Sequence, residues 1–411
     1  AAGATVAQSN EVGITQNLQS TNDCDELGIG NNRGFCDNHA LNRILPITQS
    51  NTAAVADDFV QYNLIAISQD LQETNDCDEE GEGSLGPPLQ FCTNSAQNII
   101  GPVSQSNTAT GTEVSDISQN IDLSMNQLLL ADNECSESGF ADNRPICSTG
   151  GNNDIDAVTQ SNDAAGDQFT DFSQDNDATF SQTMDVGNNC DETLDTGGAN
   201  NNADCTNFSL NFIGPLSQSN AATSQFDSLF DQDNIAAVSQ NFVADNTCDA
   251  TGSNTANCDN FDTVNFISSD NRIESITQAN LATGSDAAVI TQSNDADIDQ
   301  SMVLLNDCDE TDDGVNDATC ENDAQNFVGP ILQTNDATGE DSSTVTQSNT
   351  IDVSQNIEGT NDCDESGIGS NLAICETHLT NTIGKITQSN IVGSLGGTDV
   401  ETQSNFFGVT Q

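Results

Sequence analysis

Positive charge is nearly missing from this chain. Five Lys and Arg (Arg33, Arg43, Arg144, Arg272 and Lys385) stand against 65 Asp and Glu in 411 residues, a formal net charge of −60. Binding to nucleic acid or to an anionic membrane surface needs cations that displace counterions, so both are excluded. No apolar run reaches the roughly 18 residues of a membrane-spanning helix, so no membrane insertion is expected. Trp is absent and aromatic residues make up 4%, which leaves little for a large oily core. Only two histidines occur, His39 and His378. No nucleophile elbow, phosphate-binding loop or zinc motif is present, and no enzyme activity is expected.

High charge with 34% hydrophobic content would ordinarily mean disorder. Strict periodicity argues otherwise, because a repeating chain can be ordered by backbone and side-chain ladders. The unit Ile47-Thr48-Gln49-Ser50-Asn51 returns around Gln160, Gln218, Gln347 and Gln388. Its alternation is that of a strand, with the aliphatic, Gln and Asn on one face.

Three glutamine tracks define a repeat of about 55 residues. The first is Gln49, Gln105, Gln160, Gln218, Gln278, Gln333 and Gln388, each with Asn two residues later. The second runs from Gln8 through Gln61 to Gln403, and the third from Gln16 through Gln69 to Gln411. An amide that recurs at every level suggests inward hydrogen-bonded ladders, since a buried amide left unpaired costs more than a paired one gains.

Fourteen cysteines fall into seven local pairs: Cys24/Cys36, Cys77/Cys92, Cys135/Cys147, Cys190/Cys205, Cys248/Cys258, Cys308/Cys320 and Cys363/Cys375. An even count in regular pairs reads as disulfides formed in an oxidising, extracellular setting. Each would close about 12 residues, worth about 3 kcal/mol by loop entropy. The single sequon, Asn207-Phe208-Ser209, allows a glycan if the chain is exported.

These signals predict an all-β tandem-repeat solenoid, or stacked β-arches, spanning 1–411. A half-repeat covers 1–23, Cys-loop repeats start near 24, 77, 135, 190, 248, 308 and 363, and a terminal half-repeat covers 388–411. A seven-bladed propeller is the competing fold. Its ring should hold equal numbers of each strand type, whereas the first track has seven members and the other two have eight. The fifth repeat carries extra residues, placed around Ser268 to Glu274. First and last units that copy the interior suggest assembly with further copies of the same chain.

Carboxylates cluster around the first cysteine of each pair. Asp23, Asp25, Glu26, Asp76, Asp78, Asp307, Asp309, Asp362 and Asp364 are candidate oxygen ligands for Ca²⁺, although their spacing is not that of an EF-hand loop. Outward Thr48, Ser50 and Thr52 raise an ice-binding solenoid as another reading.

The aliphatic-x-Gln-x-Asn strands resemble those of curli subunits and other functional amyloids. The paired Cys loops are foreign to curli. The acidic, disulfide-paired, Asn/Gln-rich combination is more similar to the amyloid-like tubular sheath proteins of methanogenic archaea. That resemblance implies a secreted subunit that self-assembles into an extracellular fibre or sheath of the cell envelope. A calcium-dependent adhesin or surface-layer protein is the alternative.

Overall fold

The computed structural model describes residues 5–411 apart from 25, 29–33, 55–57, 82–89, 112–114, 140–144, 168–169, 195–199, 251–252, 263–266, 286, 312–314, 340–341, 368–369 and 395–399. The chain is all-β. It winds through three parallel sheets, one strand in each per full turn, except that in the fifth turn one of the three is split into Ser253–Asp262 and Ile267–Ile273. In the second turn the three strands are Asp58–Gly81, Gln90–Ile100 and Val103–Thr110. We call the three the long, return and short strands. The long sheet stacks Thr5–Asp23, Asp58–Gly81, Ser115–Gly139, Thr170–Leu194, Leu229–Ala250, Val289–Thr311, Thr344–Ser366 and Val400–Thr410 in that order. The other two sheets stack in the same sequence order, which is a β-solenoid. Propeller blades would be antiparallel and separate, so that alternative falls.

Register explains why the repeat tolerates so little variation. Gln8 pairs with Gln61, Gln16 with Gln69, and Asn22 with Asn75. These columns stay aligned through the turns that follow, and in a fourth, which begins Asn10 and Asn63, Ile121 replaces an Asn. A one-residue slip would turn every inward amide to solvent. Inward and outward residues alternate along each strand; Phe59, Gln61, Asn63, Ile65, Ile67, Gln69 and Leu71 are all buried.

The return and short strands run end to end, and together they face the long sheet. Asn42 of a return strand reaches the Asp70 carbonyl of the long sheet, and Asn51 of a short strand reaches Asn63. Between return and short strands lies a corner: Leu45-Pro46, Gly101-Pro102, Asp156-Ala157, Gly214-Pro215, Glu274-Ser275, Gly329-Pro330 and Gly384-Lys385. The backbone ladder continues through it. Gly101 N–H donates to Ile44 O at 2.9 Å, and Ile47 N–H to Pro102 O at 3.0 Å. The second corner residue contributes its carbonyl to the ladder but not its amide, so proline fits there. Where Ala157 replaces proline, its N–H is taken by Asp156 Oδ1 at 2.9 Å. At the first corner position the backbones of successive turns come close. A Cβ on Gly214 would lie 3.1 Å from Ala157 N, and one on Gly329 would overlap the Glu274 carbonyl.

The core is striped. Apolar columns built from Phe59, Ile117 and Phe172, from Ile65, Leu123 and Ala178, and from Leu71, Leu129 and Met184 alternate with amide columns. Phe172 and Phe230 stack with ring centroids 5.0 Å apart. The extra residues of the fifth turn lie earlier than the sequence suggested. Separation from the fourth turn rises from 53 residues at Asn257 to 60 at Asn271. Ser269 to Ile273 are ordinary members of the return sheet. The insertion precedes them, and its flanks Phe261 and Asp262 pair antiparallel with Ser268 and Ile267.

Candidate functional site

The interior amides form one lattice with a direction. In the first track, Gln105 Nε2 donates to Gln49 Oε1, Gln160 to Gln105, Gln218 to Gln160, Gln278 to Gln218, Gln333 to Gln278 and Gln388 to Gln333, at 2.8 to 3.3 Å. Each donates to the preceding turn, as do the other two glutamine tracks, for instance Gln61 to Gln8 and Gln69 to Gln16. The asparagines run the opposite way. Asn51 Nδ2 donates to Asn107, Asn107 to Asn162, Asn162 to Asn220 and Asn220 to Asn280, each to the following turn. Their dipoles therefore oppose those of the glutamines. The second hydrogen of each amide goes across the core: Gln218 Nε2 also reaches Ile235 O at 2.7 Å, and Asn220 Nδ2 reaches Asp233 O at 2.8 Å. The lattice thus ties turn to turn and sheet to sheet.

Where Ile121 replaces an asparagine, Asn63 lacks the bond to the following turn and keeps the two across the core, to Asn107 Oδ1 and Ser106 O, that Asn176 also makes to Asn220 and Ser219. One apolar layer is accommodated because the bonds across the core do not depend on the turn-to-turn bond it removes.

At the far end of the core the cysteines form a second column. The structure holds seven disulfides, Cys24–Cys36, Cys77–Cys92, Cys135–Cys147, Cys190–Cys205, Cys248–Cys258, Cys308–Cys320 and Cys363–Cys375. Each links the end of a long strand to the start of the return strand in its own turn. Disulfides of this number belong to an oxidising compartment.

The candidate calcium ligands flank this column on the outside. Asp23, Asp76, Glu134, Asp307 and Asp362 occupy one register line of the long sheet. Asp78, Asp191, Asp249, Asp309 and Asp364 occupy a second, two residues on. Asp25 lies outside the described residues, and for Glu26 only the backbone pairing with Glu79 is described. Burial first, and then neighbouring carboxylates, raise Asp76, Asp307 and Asp309 above the ordinary carboxylate range, and push Asp249 up to about 6. A groove of about 520 Å³ beside them is lined by Asp76, Asp132, Glu134, Asp185 and Asp245. Stacked acids with no Lys or Arg in their register lines could take a hard, oxygen-seeking ion.

Comparison with protein-family models, curated proteins and solved structures finds no match.

Three buried acids, Glu73, Glu137 and Glu310, do not stand out in the sequence. Glu73 and Glu310 point inward and are 1% and 0% exposed; the backbone N–H groups of Ser95 and Ala40 beside Glu73, and of Ala256 and Asp317 beside Glu310, offset the cost of burying them only in part. Burial lifts both to about 7. Glu73 sits in register with Ala131 of the apolar column. The signal for Glu310 was there: it follows inward Cys308 by two residues and shares its face.

Three minor readings can be placed. Asn207, the sequon residue, is 0% exposed; its Nδ2 donates to Asp245 O at 3.1 Å and its Oδ1 accepts from Asn188 at 2.8 Å. It follows Cys205 by two residues and so faces inward, where the folded chain gives a glycan no room. The Thr48 and Thr52 rows that would bind ice are interrupted by Leu332 and by Asp163, Leu281 and Ile391. Arg272 lies 5.0 Å over the ring of Phe327 in the next turn, a cation–π contact on the surface.

Proposed function

We propose that this protein is a structural subunit that self-assembles by β-stacking into an extracellular fibre or sheath. One observation carries the reading: the two faces of every turn are complementary. One face offers Gln Nε2 donors and Asn Oδ1 acceptors; the other offers Gln Oε1 acceptors and Asn Nδ2 donors. Backbone groups match in the same way, because all three sheets are parallel and in register. Such a surface does not distinguish the next turn of its own chain from a turn of another copy. The opposed polarities also set the sense of growth, since only head-to-tail stacking pairs donors with acceptors. The disulfides suit a material exposed to an oxidising exterior. The likeness to archaeal sheath proteins fits the same role.

Electron microscopy with fibre diffraction tests this. Filaments or sheets many subunits long, with a meridional repeat of about 4.7–4.8 Å, are expected. Monodisperse monomers at high concentration would overturn the assembly. The acid columns favour a second reading, a calcium-dependent surface-layer or adhesive subunit; assembly that proceeds only with Ca²⁺ and reverses in EDTA would select it.

A further inference from the structure

The disulfide column places sulfurs of successive turns side by side. In three groups, Cys24, Cys36 and Cys77, then Cys77, Cys92 and Cys135, then Cys147, Cys190 and Cys205, all Sγ atoms lie within 4.8 Å of one another. In each group a return-strand cysteine of one turn meets a long-strand cysteine of the next. Cys36 stands beside Cys77, Cys92 beside Cys135, and Cys147 beside Cys190; the last group, Cys258, Cys308 and Cys320, repeats the pattern. The inner cysteines are 0% exposed, so the neighbours of a buried sulfur are other sulfurs and backbone, not solvent.

We propose that the column is a relay for thiol–disulfide exchange, able to shift its pairing by one step and weld neighbouring turns at the four junctions where their sulfurs meet. In the present pairing every bond closes an arc within one turn, across 10 to 15 residues, and none joins two turns. A single thiol sets the shift going. It arises when an external low-molecular-weight thiol opens one disulfide, or when one cysteine is missing. With the thiol on Cys36, its thiolate attacks Cys77 Sγ. The Cys36–Cys77 bond forms, the Cys77–Cys92 bond breaks, and the electron pair leaves on Cys92. Cys92 then attacks Cys135 and releases Cys147, which faces Cys190. One S–S bond forms for each one broken, so no oxidant is consumed. The proton lost from Cys36 to solvent is regained by the last thiolate released. Exchange between like disulfides is close to thermoneutral, because entering and leaving thiols are alike. The thiol therefore spreads along the column, leaving covalent links between turns behind it. This inference concerns chemistry within one chain and does not depend on assembly.

The test uses the full chain with Cys24→Ser, which leaves one thiol at Cys36. Protein is held at pH 8.5, quenched in acid, denatured, alkylated and mapped by peptide mass. Label should be lost from Cys36 and gained at Cys92 and Cys147, with Cys36–Cys77 and Cys92–Cys135 linked peptides. The rate should be unchanged by dilution. Label confined to Cys36, or spreading faster at higher protein concentration, overturns the relay. Adding Cys77→Ser and Cys92→Ser removes the first step and should hold the label at Cys36; spreading that persists also overturns it. Should Cys24→Ser disturb the first turn, Cys205→Ser starts the relay inside the column. The Cys190 thiol then attacks Cys147, and the label should appear at Cys135 rather than stay on Cys190.

Discussion

Gln218→Glu is expected to unfold the chain at neutral pH and to regain part of its stability in acid. Gln218 is fully buried at the centre of the first glutamine track. Its Nε2 donates to Gln160 Oε1 at 2.9 Å, Ile235 O at 2.7 Å and Asn176 O at 3.1 Å, while its Oε1 accepts from Gln278 at 2.9 Å. A carboxylate keeps only the last of these. It would point a charge at three oxygens that have lost their donor. Each buried group left unpaired costs about 1–3 kcal/mol, and an unpaired buried charge costs several kcal/mol more. The total, above about 5 kcal/mol, rivals the whole stability of an ordinary domain. The buried acid would have a raised pKa, so the folded variant binds its proton more tightly than the unfolded chain does. Its penalty is smallest below the unfolded value near 4.3 and grows as pH rises. Protonation also restores one donor. Gln218→Leu, with no charge, should lose less at pH 7 and show no such pH dependence. Thermal unfolding of both variants at pH 7 and pH 4.5 decides the matter. A Gln218→Glu midpoint equal to that of the parent at pH 7 would show that the lattice does not hold the core.

The parent protein should itself be more heat-stable near pH 5 than near pH 8, the reverse of a chain whose carboxylates are paired with cations. Glu73 and Glu310 are raised to about 7 by burial, and Asp175 and Asp249 to about 6 by burial and then by neighbouring Asp carboxylates. His39 pulls Glu73 the other way without reversing it. The sign follows from linkage. A carboxyl with a raised folded pKa binds protons more tightly when folded, so its contribution is most favourable below the unfolded value of about 4 and is lost as pH rises through 6 to 7. Five Lys and Arg are too few to offset this. Glu310→Gln should raise the melting temperature at pH 8 and leave it nearly unchanged at pH 5, because it removes a charge the core cannot solvate. If the Asp columns take hard cations, Ca²⁺ at pH 8 should recover part of the loss, and EDTA should cancel the recovery. A melting temperature that climbs from pH 5 to pH 8 would contradict the whole account of the acids.

Much of this architecture was legible before any coordinates. Strand alternation is local, so Gln49, Asn51 and Ile47 announce a common face from their spacing alone. In-register stacking then follows from amide chemistry, because a Gln in one turn is satisfied by a Gln in the next. The cysteine pairs are close in sequence and could be read the same way. The inward parity of Cys308 already implied that of Glu310, but in a chain with 65 acids no single carboxylate stands out.

Other features belong to the tertiary structure alone. Spacing did not reveal that the second and third glutamine tracks share one continuous strand, such as Asp58–Gly81, while the first sits on a separate short strand facing it. The opposed polarities of the Gln and Asn ladders, the proline-tolerant corner, the position of the fifth-turn insertion and the adjacency of Cys36 to Cys77 were equally hidden. The physical reason is common to all of them. Alternation and repetition are properties of neighbours along the chain. Which groups meet across the core, or from one turn to the next, depends on where the chain bends, and residues more than 40 apart, such as Asn10 and Asn51, come into contact only once it has done so.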